Sequence, residues 1–552
     1  MTHRQPKLAA KKLIATSIAC GFLMNAPTVF ADERESLEQL KATTTNLIEL
    51  LVQEGVLNKD KADAIVKKAT QDAAQQVKQA KAKESVETGI DKQNAVQDEK
   101  SVRVQYVPEH IRKEMREEIK KDVMAKLNFK AGERLGLPSW VDRIAFNGDM
   151  RLRYQHDAFA SDNVPVGVAN DVKRFANIRN TTEDRDRFRV RTRFGTSLNI
   201  NDWLKGGLRL TTGLLTSPVT PNQTAGIAQG KFIFGLDNAY LKAQPYSWLT
   251  LNGGRFDNPF LHTDLLWDPD LAFDGVAATF TPKFNDNWSS FTTVGAFPIE
   301  EVESSEINKA RDKWMYALQT GIKWTAANKS SARLALTYYD YKNVEGESNP
   351  VGLTNKNGTV PAFRQKGNNT FDINSQNNGA GQNNDNKPNP ISANTIAITS
   401  KFKQINLTGQ IDLMTFDPTH VTLTADYIKN IGYDANEIFK RTGRRMDEET
   451  DGYQVRLDIG QNSFNGFQYV EVKPKDWQIS LAYKRLEADS VLDGFTDSNF
   501  HLGGTDAKGW LLSGNYAIDK NAWVSARYLS TDTITGPALG IDVLLLDFNA
   551  KF

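Results

Sequence analysis

Hydrophobic and polar positions alternate with period two over most of the chain beyond residue 144, and the final segment, 541–552, shows the pattern plainly. Phe552, Ala550, Phe548, Leu546 and Leu544 fall on one face, and Lys551, Asn549 and Asp547 on the other, because successive side chains of a strand point to opposite sides. A terminal strand of a soluble β domain would alternate in the same way. The aromatic terminus at Phe552, with nothing after it, favours a strand that closes a barrel in lipid and ends at the water boundary.

The same period recurs upstream. Ile144, Phe146, Met150, Leu152 and Tyr154 alternate with Asn147, Asp149, Arg151 and Arg153; Phe188, Val190, Phe194, Leu198 and Ile200 alternate with Arg187, Arg189, Arg191 and Arg193. Further strands are predicted to begin near Leu204, Phe232, Trp248, Phe273, Trp288, Trp314, Ser331, Thr399, Thr419, Asp451, Asp476, Ala507, Asn521 and Ile541, which makes about 16. Short turns such as Asn201-Asp202, Asn285 to Asn287, Asp417-Pro418 and Asp519-Lys520 alternate with long polar stretches at 157–186, 343–393, 432–450 and 487–505. An outer-membrane up-and-down antiparallel barrel keeps short periplasmic turns at one end and long loops at the other. A sandwich has no reason to do so. Trp203, Trp248, Trp288, Trp314, Trp324, Trp477 and Trp523 lie near strand ends, as interfacial girdles require. The Asn-rich stretch 367–394 reads as solvated external loop.

Ahead of the strands the period is helical. Residues 1–31 carry Arg4, Lys7, Lys11 and Lys12, then an apolar run, then Val29-Phe30-Ala31, the order of a signal peptide cleaved after Ala31. A lipoprotein reading through Cys20 is weaker, because Ser17 stands where Leu is usual and apolar residues continue past the cysteine. Residues 32–140 hold Leu37, Leu40, Thr44, Leu47 and Leu51 at heptad spacing, a charged Ala/Lys/Gln segment from Asn58, and an amphipathic run through Ile111, Met115, Ile119, Val123 and Leu127. A periplasmic coiled coil that joins protomers or touches the cell wall, and a pair of helices folded on each other, both fit. Residues 141–552 form the predicted barrel.

Composition narrows the function. Lys plus Arg number 68 against 67 Asp plus Glu, so no nucleic-acid partner is implied. Cys20, the single cysteine, falls in the expected signal, so no cysteine-based metal site or disulfide is expected in the mature chain, nor any cofactor. His110, His156, His262, His420 and His501 stand in no catalytic spacing, and no enzyme is expected. About 16 strands enclose a lumen too wide for wall side chains to fill. If the apolar faces meet lipid, Arg151, Arg153, Arg187, Arg189, Arg191, Arg193 and Arg209 line that lumen. They either form a wall that favours anions or pair with luminal carboxylates such as Asp149, Asp426, Asp458 and Asp547. The stretch 258–272 is unusually apolar for a loop, with Phe260, Leu261, Leu265, Leu266 and Trp267. Folding into the lumen as a constriction, with Asp264, Asp268 and Asp270 facing the arginines, is one reading. Packing at the rim or against another subunit is the other.

Phe188-Arg-Val-Arg-Thr-Arg-Phe194, Leu236-Asp-Asn-Ala-Tyr-Leu241, Trp248 to Phe256 with Asn258-Pro-Phe260, and Leu266-Trp-Asp-Pro-Asp-Leu271 together resemble the putative porin family of Gram-negative bacteria. The resemblance extends to the signal peptide and to 47–55, and leaves out the Asn-rich loop. It implies an outer-membrane porin for passive diffusion of small hydrophilic solutes or ions, with Phe552 as a signal read by the barrel assembly machinery. By analogy with general porins it also implies a homotrimer. A structural or adhesive protein that links the membrane to the cell wall is the alternative.

Overall fold

The computed structural model describes residues 141–165, 180–304, 311–350, 357–374, 395–461 and 472–552. The signal peptide, the heptad segment and the remaining helical stretch to Trp140 lie outside these residues. Sixteen long strands follow in chain order: β1 Ile144–Phe159, β2 Arg185–Asn199, β3 Leu204–Thr212, β4 Phe234–Tyr246, β5 Leu249–Asp257, β6 Ala272–Phe280, β7 Trp288–Glu300, β8 Lys313–Thr325, β9 Ser331–Lys342, β10 Lys403–Phe416, β11 Thr419–Asn430, β12 Asp451–Gly460, β13 Trp477–Leu486, β14 Ala507–Asp519, β15 Ala522–Thr533 and β16 Gly540–Lys551. Each pairs antiparallel with its neighbours, and β1 pairs with β16 from Asp149 opposite Lys551 to Phe159 opposite Ile541. The sheet closes on itself, so no strand is left with an unpaired edge. Phe552 extends the seam, since Gly148 and Phe552 exchange both backbone hydrogen bonds at 3.0 and 3.1 Å.

The alternation in sequence becomes inside and outside. On β1, Phe146, Met150 and Leu152 are exposed on the outer surface, while Asp149, Arg151, Arg153, Gln155 and Asp157 are buried in the lumen. Wherever polar side chains face in and apolar ones face out, the surface suits hydrocarbon rather than water. Outer aromatic pairs mark both rims: Tyr246 stacks on Trp248 at 5.3 Å near the turns, and Tyr483 meets Trp510 edge-on at 4.9 Å near the loops. Trp523 departs from the girdle expected of it; its ring is turned inward and 8% exposed, because its position on β15 has luminal parity.

Turns at 200–203, 247–248, 326–330, 417–418 and 520–521 share one end, and the described parts of the loops 160–184, 213–233, 258–271, 343–402, 431–450 and 487–506 share the other. These loops do not all stand in solvent. Phe260, Leu265, Leu266 and Trp267 join Phe273, Phe297, Met315, Tyr339, Phe402, Ile428 and Leu486 in one buried cluster inside the barrel. Phe500 does the same with Leu511, Leu529, Val543 and Leu545. Here the wall residues are apolar on the inward face as well, because they pack against inserted loops. The described part of the Asn-rich stretch is likewise inside rather than solvated. Asn368 is fully buried, its amide nitrogen donating to the carbonyls of Ala488 and Val491 and its oxygen accepting from Asp493 N–H. Asn369 donates to both oxygens of Asp489, and Lys366 Nζ to the carbonyls of His501 and Gly503. An asparagine carries both donors and an acceptor, so it can satisfy buried backbone groups as well as water does. The rest of that stretch, 375–394, lies outside the described residues.

Candidate functional site

The seven arginines singled out in the sequence all point into the lumen, because they occupy one parity of β1, β2 and β3. They are held by a network rather than standing free. Arg153, fully buried, grips Asp547 of β16 with two parallel bonds of 2.6 and 2.7 Å and reaches Asn499 at 2.9 Å. Arg191 and Arg193 share Asp149, each at 2.7 Å. Arg187 pairs with Asp157. Arg189 donates to Gln155 at 3.1 Å and to the carbonyl of Asn222 at 3.1 Å. Arg151 donates to Asn222 at 2.9 Å, and Arg209 pairs with Asp237 at 2.6 Å and Asp257 at 3.0 Å. Arg527 of β15 joins the group through Asp547 at 3.6 Å. Among the described residues, the ion pairs of this group, Arg209 apart, run to Asp149, Asp157, Asp270 and Asp547.

The loop 258–271 crosses the lumen between this wall and the opposite one. At its start, Leu261 N–H donates to Gln319 of β8 at 2.7 Å, and Gln319 returns a bond to the Leu261 carbonyl at 2.9 Å. Thr263 donates to Asp426 of β11 at 2.5 Å. Asp264 accepts from Gln454 of β12 at 2.8 Å and pairs with Lys484 of β13 at 3.4 Å. Trp267 lies edge-on to Phe273 and Tyr339, with ring centres at 5.0 and 5.5 Å. Asp268 caps the backbone of the neighbouring loop, accepting from Ser498 N–H at 2.8 Å. Asp270 reaches the arginine wall, with Arg191 at 3.2 Å, Arg193 at 3.4 Å and Arg151 at 3.9 Å. The three aspartates thus go three ways, and Asp270 is the one that meets the arginines.

Their titration follows. Burial opposes ionisation of Asp270, but Arg191, Arg151 and Arg193 outweigh it and hold the carboxyl down to about 2. Asp264 is likewise down to about 2, burial being overcome by Lys484, Arg456 and the bond from Gln454. Asp268 moves the other way: burial, then Asp270 and Asp497, push it up.

Two cavities flank the loop. One of about 420 Å³, toward the turns, is bordered by Arg151, Arg191, Arg193, Arg209, Arg456 and Arg527, by Asp257, Asp268, Asp270 and Asp547, and by Leu271, Leu511 and Trp523. Another of about 370 Å³, toward the loops, is bordered by Trp267, Leu271, Phe297 and Phe495. Leu271 belongs to both walls. Arg527, Arg456 and Lys484 were not singled out from sequence, although their strands alternate as β1 does; Arg527 sits between outward Ala526 and Tyr528. Among the described residues no group of three or more His, Cys, Asp or Glu could hold a metal. His156, His262, His420 and His501 are apart, bonded to Asp186, the Phe260 carbonyl, Asp412 and Thr531.

Residues 41–552 match a family model described as "Putative porin". No curated protein matches the chain. Among solved structures, OprB of Pseudomonas putida at high pH is 13% identical with a TM-score of 0.41, the match covering 75% of this chain and 95% of that one. A loop-deletion mutant of OmpT, an outer membrane protein of Vibrio cholerae, is 11% identical with a TM-score of 0.37, covering 74% and 99%. The outer membrane channel DcaP of Acinetobacter baumannii is 10% identical with a TM-score of 0.36, covering 74% and 97%.

Proposed function

The chain belongs to the putative porin family, and from that membership we propose that it forms a water-filled outer-membrane channel. Small hydrophilic solutes or ions would cross it by passive diffusion, with anions favoured. No chemistry on the solute is involved. The observation that supports the anion preference is the group of guanidiniums that β1, β2 and β15 bring to one stretch of the lumen wall. In a confined water-filled lumen with low-dielectric walls that positive group raises the local concentration of anions. Solutes pass between the two cavities beside Leu271, which borders both. Phe552 serves as the residue by which the assembly machinery recognises the chain, the segment 32–140 lies in the periplasm, and the barrel associates as a trimer.

The test is the reversal potential of the purified full chain in a planar bilayer under a KCl gradient. It is expected on the chloride side of zero, and to move toward zero when Arg191 and Arg193 are both changed to Gln. Potassium selectivity in the unaltered chain would overturn the anion preference. Screening should weaken the preference as salt rises.

A further inference from the structure

The carboxylates that pair with the arginines of β1, β2 and β15 differ in how they are held. Asp149, Asp157 and Asp547 belong to strands, where backbone ladders on both sides fix their positions. Asp270 belongs to the inserted loop, directly after Pro269, and nothing in the ladder holds it. Its carboxylate lies on Arg191, Arg193 and Arg151 at the edge of the 420 Å³ cavity. Arg151 retains a buried Nε without a hydrogen-bond partner, so the site has donor capacity that Asp270 leaves unused.

We infer that Asp270 is an internal competitor occupying the binding site of a small organic carboxylate, and that such a solute displaces it and shifts the adjoining Leu271. This rests on the channel reading above and names its solute class. Planar guanidinium forks match a carboxylate in two-pronged fashion, which a spherical anion cannot exploit. Leu271, Leu511 and Trp523 also line the cavity and offer apolar contacts to a solute's hydrocarbon body. An exchange of one carboxylate for another leaves the charge balance of the wall unchanged, so only the loop must move. Leu271, one residue beyond Asp270 and common to both cavities, moves with it.

Benzoate is a suitable probe, with chloride and inorganic phosphate as the comparison anions. Channels of the full chain in planar bilayers are titrated with benzoate, and the concentration giving half of its effect on chloride current is read. In Asp270→Asn this concentration is expected to fall about tenfold, equivalent to about 1.4 kcal/mol, and in Asp270→Glu to stay near the unaltered value. An unchanged concentration in Asp270→Asn, or an equal effect of phosphate, overturns the inference. Should the Asn variant not assemble, Leu271→Cys provides a second reading in a chain whose one other cysteine is Cys20. Its labelling by a small thiol reagent is expected to accelerate with benzoate, and no acceleration counts against displacement. Conducting channels that ignore benzoate would refute this inference alone. A chain that conducts under no condition would refute the channel itself.

Discussion

Gly148 shows how little room a single position in the closing seam leaves. A Cβ placed there would lie 2.4 Å from Phe552 Cζ and 2.8 Å from the carbonyl of Arg193. The ring can swing aside but the carbonyl is fixed in the β1–β2 ladder, so Gly148→Ala is expected to lower stability by about 1–3 kcal/mol, read as an earlier urea midpoint of the folded barrel. The loop carboxylates make a pH prediction. Asp264 and Asp270, each down to about 2, stabilise the docked loop at pH above about 4, and that contribution is lost as pH falls from there toward 2. Asp268, pushed up by burial, titrates above this window and acts with opposite sign, its protonated form favouring the docked state. A change in Trp267 emission is therefore expected between about pH 4 and 2, and it should diminish in Asp270→Asn; an identical profile in that variant would contradict the pairing. The luminal side of the seven arginines was legible because alternation alone assigns it. Asp149, Asp547 and Asp270 stand among the carboxylates expected to meet them, whereas Asn222 and Asn499 do not, since they arrive on loops that carry no periodic trace.

The inserted element 258–271 is anchored at three places: a two-way amide clamp at Gln319, an ion pair at Lys484 and an aromatic nest around Trp267. Removing the nest by Trp267→Ala deletes a side chain only 2% exposed, which should cost about 3–5 kcal/mol of docking. The expected outcome is faster proteolysis within 258–271 while the barrel stays folded; protection equal to the unaltered chain would show that the loop is held elsewhere. Sequence signalled this element through its apolar residues, which a solvated loop has no use for. Insertion and rim packing were both open, because contacts to Asp426, Gln454 and Lys484 join distant strands. The stretch around Asn368 differs from its expected place for a related reason: polar composition suggests solvent, yet the Asn368 amide satisfies the buried carbonyls of Ala488 and Val491 in the loop 487–506.

At the scale of the molecule, sixteen strands close into a barrel whose outer face is apolar and whose lumen is polar toward the turns and packed with loops toward the other end. Strand number and loop side followed from period two and from the alternation of short and long connections. How much of the lumen stays open did not, because filling depends on which loops fold inward. The two cavities share Leu271 as a wall, and the proposed path runs past it. Single-channel conductance of the purified full chain in a planar bilayer tests this most directly, with Leu271→Trp beside the unaltered protein. Discrete ion-conducting steps are expected from the unaltered chain and markedly smaller steps from the variant; no conducting steps at all, or steps of equal size in both, would contradict a channel that runs past Leu271.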